Sequence, residues 1–131
     1  MARLRYLLDT HVLIWAAVER HRLGAGAARL FRSARLDEMA VSDVSLQEIG
    51  LLVHAGKVVF RDSPQRSLAG LLAGVTVIPI DLDAAVIAPA LAMNHADPFD
   101  RMITATAKVR GLTLVTRDAN ISDSGLVPTL W

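Results

Sequence analysis

Leu4-Arg5-Tyr6-Leu7-Leu8-Asp9-Thr10-His11-Val12-Leu13-Ile14-Trp15 sets one carboxylate inside an otherwise apolar run. An unpaired buried charge is expensive, so the chain has to give Asp9 a special place. The cheapest layout is a strand over residues 4–8, a turn at Asp9-Thr10, and a helix from His11 to Arg20. Asp9 then stands at the C-terminal end of a strand, half out of the core, on the edge where open α/β sheets bind ligands. A plainer reading makes Asp9 or Thr10 a helix cap and nothing more. The rest of the chain has to decide between the two.

A chain of 131 residues is expected to form one domain spanning 1–131, long enough to bury about two-thirds of its surface. Hydrophobic residues make up 53% and the mean hydropathy is +0.39, which is oily. No apolar run reaches the roughly 18 residues of a membrane span, and the N-terminus does not read as a signal peptide. The excess is expected to fill a core and at least one protein–protein interface. With no cysteine, disulfides and thiolate metal sites are excluded and a cytoplasmic address is the default. The net charge of +1 announces no global basic field, although the 14 basic residues are nearly all arginine, the side chain suited to bidentate phosphate contacts.

Further along, Arg29, Arg32 and Arg35 recur at near-helical spacing in a helix over residues 27–35, expected as a solvated face. Residues 39–42 read as a second strand, followed by a helix that Gly56 stops. Ser63-Pro64 opens a helix to about Ala73, and residues 75–80, rich in β-branched side chains, form the clearest strand. Asp81 or Asp83 caps a helix to about Met93; Asp97-Pro98 opens one that Gly111 ends. Residues 112–116 give another strand, and residues 127–130 a last one that Pro128 confines to an edge. Strands alternating with helices predict an α/β architecture with a mainly parallel sheet and right-handed crossovers.

Of the 13 acids, Glu19, Asp37, Glu38, Asp62 and Asp123 lie in polar surroundings, and Asp81 and Asp83 look like caps. The others share one topological place. Asp9 follows the first strand, Asp43 and Glu48 open the helix after the second, Asp97 and Asp100 open a later helix, and Asp118 follows residues 112–116. Strand C-termini and the helix N-termini after them lie along the same edge of a parallel sheet, so topology alone brings Asp9, Glu48 and Asp118 together, and Asp100 can join them. Each has an ordinary reading. Ser45-Leu46-Gln47-Glu48 matches a capping box, Asp97 and Asp100 suit a helix N-terminus, and Asp118 can begin a turn. Taken together they would be several coincidences on one edge, with like charges repelling. A divalent cation removes that repulsion, and an all-oxygen set points to Mg2+ or Mn2+ in preference to zinc.

The stretches Leu7-Leu8-Asp9-Thr10-His11, Ser42-x-x-Ser45-x-x-Glu48, His95-Ala96-Asp97-Pro98-Phe99-Asp100-Arg101 and Leu114-Val115-Thr116-x-Asp118 resemble the four acidic motifs of PIN-domain ribonucleases, most closely the VapC-like toxins of type II toxin–antitoxin systems. Leu130-Trp131 fits the same subgroup, and the resemblance covers essentially the whole chain. Two positions depart from it: Gln47 stands where a Trp is common, and Ser124 where an aromatic is often found. The resemblance implies a three-layer α/β PIN-like fold around a central parallel sheet. It implies a catalytic cluster of Asp9, Glu48, Asp100 and Asp118, with Asp9 and Asp100 the foremost Mg2+ (or Mn2+) ligands and Glu48 and Asp118 further candidates. Thr10 and Thr116 would be supporting hydroxyls, Asp97 a helix cap at the margin, and Arg101 a phosphate holder or a brace for the acids. His11 and His95 flank the site. The implied activity is RNA phosphodiester hydrolysis by a metal-activated water. The implied partners are an RNA substrate, a small cognate antitoxin covering the acidic groove, and a second copy in a homodimer, with no membrane.

Two other readings compete. An aspartyl-phosphate domain of phosphatase type wants an acid two residues after Asp9, where His11 stands; one of receiver type wants a strand and an acid pair upstream, for which there is no room. A catalytically inactive binding module would leave the acids as caps only.

Overall fold

The computed structural model describes residues 3–94 and 96–131. Its centre is β1 (Tyr6–Leu8), flanked by β2 (Met39–Ser42) and β4 (Thr113–Val115), with β3 (Thr76–Ile78) and β5 (Thr129–Leu130) outermost. The order is β3-β2-β1-β4-β5, and every pairing is parallel. Seven α-helices accompany the sheet among the described residues: α1 (Thr10–Val18), α2 (Ala25–Ser33), α3 (Asp43–His54), α4 (Pro64–Gly74), α5 (Leu82–Ile87), α6 (Pro98–Arg110) and α7 (Ala119–Ser124).

The two-residue period of the strands divides the core. Leu7 is in register with Ala40 and Leu114, and these three meet Ile103 and Ala107 of α6 and Ile121 of α7. Leu8 is in register with Val41 and Val115, and these face α1, α2 and α4 through residues such as Leu13, Leu30 and Leu68. One layer of helices therefore lies on each face, giving the three-layer α/β architecture. Leu7 and Leu8 are both fully buried, each contributing on the order of 1.5–3 kcal/mol. Such strands read as continuous apolar runs, as sheets covered on both sides do. Helix α3 belongs to both layers, with Val44 in one cluster and Ile49 in the other.

Helix starts follow the sequence signals closely. Ser63, Asp81 and Asp97 each accept a hydrogen bond from a backbone N–H three residues on, those of Arg66, Ala84 and Asp100, and Pro64 and Pro98 occupy first-turn positions. Gly111, at φ 66°, turns the chain out of α6. Other boundaries differ. The first helix ends at Val18, two residues early, and gives way to a 3-10 turn at Arg20–Arg22. The helix expected to reach Met93 stops at Ile87 and continues as a 3-10 turn over Ala88–Ala90, because Pro89 brings no N–H to an α-helical ladder. The stretch 75–80, the clearest strand by composition, shrinks to three residues at the sheet edge with Thr76 and Val77 exposed. The capping box at Ser45 and Glu48 does not form. Ser42 caps α3 instead, its hydroxyl accepting from Val44 N at 3.2 Å, so Ser45 is already inside the helix and Glu48 lies beyond its first turn.

The last residue closes the fold. Trp131 packs at a tilt against Trp15 with centroids 5.8 Å apart, and its carbonyl accepts from Gly26 N at 3.2 Å. A Cβ on Gly26 would lie 2.6 Å from that carbonyl oxygen, a backbone atom that cannot swing aside. Gly26→Ala is therefore expected to cost about 1–3 kcal/mol, the range for forced overpacking, measurable as a lower midpoint in denaturant unfolding at unchanged slope.

Candidate functional site

The sheet order reverses between β1 and β4: β1 leads by way of α1 and α2 to β2 on one side, while β4 leads by way of α7 to β5 on the other. The segments leaving these neighbouring strands separate onto opposite faces, which opens a crevice at their C-terminal ends. Asp9 and Asp118 border it. Asp9 N donates to Val115 O at 3.0 Å, carrying the pairing one residue past the strand. Asp9 is 8% exposed. Its Oδ1 accepts from Thr10 N at 2.8 Å, and its Oδ2 accepts from Thr116 Oγ1 at 2.7 Å. The same Thr116 hydroxyl accepts from Asp118 N at 3.0 Å. Asp118 in turn caps α7, Oδ1 accepting from Asn120 N and Ile121 N.

The other acids arrive from the helices around this crevice. Thr10 Oγ1 donates to Ser45 Oγ at 2.9 Å, both residues fully buried, and so pins the start of α1 to α3. Glu48, one turn further along α3, is half-buried, and its Oε1 is sealed from solvent with no hydrogen-bond partner. Asp97 accepts from Asp100 N at 2.8 Å. Asp9, Glu48, Asp97, Asp100 and Asp118 thus line one cavity of about 180 Å3, together with His11, Val12, Trp15 and Arg117.

The crowding shows in the protonation. Burial, and then the neighbouring charges of Asp9, Asp97, Asp118 and Glu48, push the Asp100 carboxyl up to about 8. Burial also raises Asp9, against the lowering effect of the bonds from Thr116 and Thr10 N. Glu48 is raised chiefly by burial, with the nearby Thr10 hydroxyl opposing and the charges of Asp9 and Asp97 adding to the rise. Such an all-carboxylate set suits a hard divalent cation, and the partnerless Glu48 oxygen is one a cation or its water would satisfy. Among the described residues no three of these side chains are already gathered to hold an ion.

Some expected members fall elsewhere. Arg101 neither faces the acids nor is free for phosphate: its guanidinium donates to the carbonyls of Ala88, Pro89, Leu91 and Met93. It staples the 3-10 turn and loop after α5, adding a second donor at Ala88 O and Leu91 O, which Leu91 N and Met93 N also reach. Asp43, on the same rim by topology, turns toward the sheet edge, where its Oδ2 accepts from Ile80 N at 3.2 Å. His95 lies outside the described residues. His11 lines the cavity and packs on Trp15 at 5.6 Å. Two lining residues, Trp15 and Arg117, had no role in the sequence reading. Arg117 could have been noticed as a cation immediately before Asp118; Trp15 gave no signal beyond an apolar helix face.

A family model for the PIN domain matches residues 6–125. Ribonuclease VapC22 of Mycobacterium tuberculosis (strain ATCC 25618 / H37Rv) is 34% identical over 116 residues, covering 88% of either chain. Among solved structures, a toxin–antitoxin complex from Klebsiella pneumoniae is similar at TM-score 0.67 and 27% identity, covering 93% of this chain and 94% of that one. DNA-bound VapBC from Salmonella typhimurium shares the fold at TM-score 0.71 and 24% identity, covering 96% of each chain. The chain belongs to the PIN-domain family, on its VapC-like branch.

Two expectations follow from the geometry. In the unfolded chain the carboxyls release their protons near their ordinary values, whereas the folded cluster holds protons to higher pH. The folded state then binds more protons in that window, so raising pH favours unfolding. Without metal, the Tm should fall from about pH 5 to about pH 9, and Asp100→Asn should flatten the slope, as melts in EDTA would show. Asp97 and Asp100 should also separate in their effects. Asp97→Ala should cost about 0.5–2 kcal/mol, the usual loss of a cap, with Mn2+ affinity largely kept. Asp100→Ala should fold well and bind Mn2+ more weakly, which calorimetric titration would register.

Proposed function

We propose that the chain is a cytoplasmic Mg2+- or Mn2+-dependent endoribonuclease, the toxin half of a type II toxin–antitoxin pair. The observation that carries this reading is the convergence of Asp9, Glu48, Asp100 and Asp118 on one cavity at the switch point of the sheet. Asp9 and Asp100 are the foremost metal ligands, with Glu48 and Asp118 completing the set. A bound divalent cation supplies the Lewis acidity that makes a water nucleophilic near neutral pH and offsets charge on the phosphoryl oxygens. The chain's own contribution is order and charge. Thr116 and the Thr10 amide hold Asp9 in one rotamer, leaving its carboxylate little freedom to lose when a cation is held. Asp100, protonated to about 8 when the cluster is bare, must give up its proton to ligate, so cation binding should tighten as pH rises. The unpartnered Glu48 oxygen can orient the attacking water or take its proton.

The partners follow the same reading. A small antitoxin protein would cover the acidic groove, with a basic side chain set among the carboxylates, and the chain would form a homodimer. The Klebsiella and Salmonella relatives, described as a toxin–antitoxin complex and as VapBC, support the pairing. Exposed Val77, Ile80, Leu82 and Val86 are in keeping with an apolar interface. Among the described residues no helix is long and apolar enough to cross a membrane.

The test is cleavage of RNA by the purified chain with Mn2+ or Mg2+, stopped by EDTA. Asp9→Asn should abolish cleavage while melting cooperatively, at an unchanged or slightly higher Tm in the absence of metal because one repelling charge has gone. Wild-type cleavage by Asp9→Asn at saturating Mg2+ would show the site to be elsewhere. A chain that cuts no RNA with either metal would favour the inactive binding module.

A further inference from the structure

The cavity that five carboxylates line contains one permanently charged cation, Arg117, the only Lys or Arg among its described lining residues. Its guanidinium lies over the Trp15 ring, 5.8 Å from the centroid, and the residue is exposed. Among the described residues it forms no ion pair. Neighbouring arginines are committed elsewhere. Arg22 also reaches Trp15, at 5.7 Å, but is paired with Glu19 at 3.0 Å. Arg20 donates to Ala16 O at 2.9 Å, and Arg101 is spent on carbonyls.

The shelf beneath Arg117 is fixed. Trp15 is 8% exposed and packed between His11 on its own helix and Trp131. Trp131 in turn fills the space over Gly24, where a Cβ would come within 2.6 Å of its ring. A guanidinium laid on such a ring keeps its N–H edge free for two parallel bonds to a phosphate, and its flat face loses little water there. A single-stranded nucleic acid entering this cavity meets strong repulsion from the acids, and Arg117 is the only Lys or Arg among its described lining residues to offset it.

We propose that Arg117, laid on Trp15, is the phosphate-binding residue that holds the RNA strand beside the scissile phosphodiester. This rests on the ribonuclease reading above and adds to it a substrate contact outside the acidic set.

The experiment uses the purified full chain and a fluorescently labelled single-stranded oligoribonucleotide. Binding is read by anisotropy in EDTA across a salt series, and cleavage by steady-state kinetics with Mn2+. Arg117→Ala should weaken binding about tenfold and reduce the slope of log affinity against log salt by about 0.7–1, one phosphate contact. With Mn2+ it should raise KM and leave kcat within about twofold, the pattern of lost uniform binding. Arg117→Lys, which keeps the charge and loses the fork, should fall between. Arg3→Ala, an exposed arginine ahead of β1 at the opposite edge of the sheet, should match wild type. If Arg117→Ala binds RNA with wild-type affinity and salt slope while the wild type still cleaves, this proposal is overturned and the ribonuclease reading stands. A wild type that neither binds nor cuts RNA overturns both.

Discussion

The bond from Thr116 to Asp9 is short, buried and spans 107 positions of sequence, and the site is arranged around it. A carboxylate at the end of the central strand cannot escape to solvent, because α1 begins immediately and its next turns are core. Left unpaired, such a charge would cost more than a small domain can spare. The Thr116 hydroxyl and the Thr10 amide compensate part of that cost. Thr116 then accepts from the backbone of Asp118, so the interaction that makes Asp9 tolerable also fixes where the next acid begins its helix. Burial still prevails over these bonds, and Asp9 stays harder to ionise than an ordinary aspartate.

Capping a helix and lining the acidic cavity are not alternatives. Asp9, Asp97 and Asp118 are all N-caps, and in each the capping bonds use Oδ1 alone. A parallel sheet places the N-termini of its helices along one edge, and capping residues with them. The backbone therefore holds one oxygen of each carboxylate; at Asp97 and Asp118 no hydrogen bond among the described residues engages the other, while at Asp9 it takes the Thr116 hydroxyl, and the helix dipoles moderate their mutual repulsion. Only Asp100 and Glu48 lie in the cavity without a cap to form, and they are the members placed by α6 and α3 packing against each other and the sheet. The arrangement stores repulsion that a cation would release, the usual exchange of stability for function at a preorganised site.

Trp15 lines the cavity with the acids, and Trp131 backs it from behind. Trp15 and Trp131 lock together over Gly24 and Gly26, joining the first helix to the last strand, and the packed rings give Arg117 a surface to lie on. The same contact leaves no room for a Cβ at Gly24 or Gly26, each of which would come within 2.6 Å of Trp131.

The alternation of strands and helices, the caps at Ser63, Asp81 and Asp97, and the gathering of acids at one sheet edge were legible in the sequence. They depend on local periodicity and on the polarity of parallel strands, which neighbouring residues and chain order determine. The tertiary structure decided the rest. It made Ser42 the cap of α3 and set Ser45 inside the helix against Thr10, so the apparent capping box does not form. It turned Arg101 away from the acids, onto the carbonyls of the loop after α5, and brought Arg117 onto Trp15. Sequence spacing states which residues arrive at an edge; which way a long side chain turns there depends on the partners that distant segments bring to it.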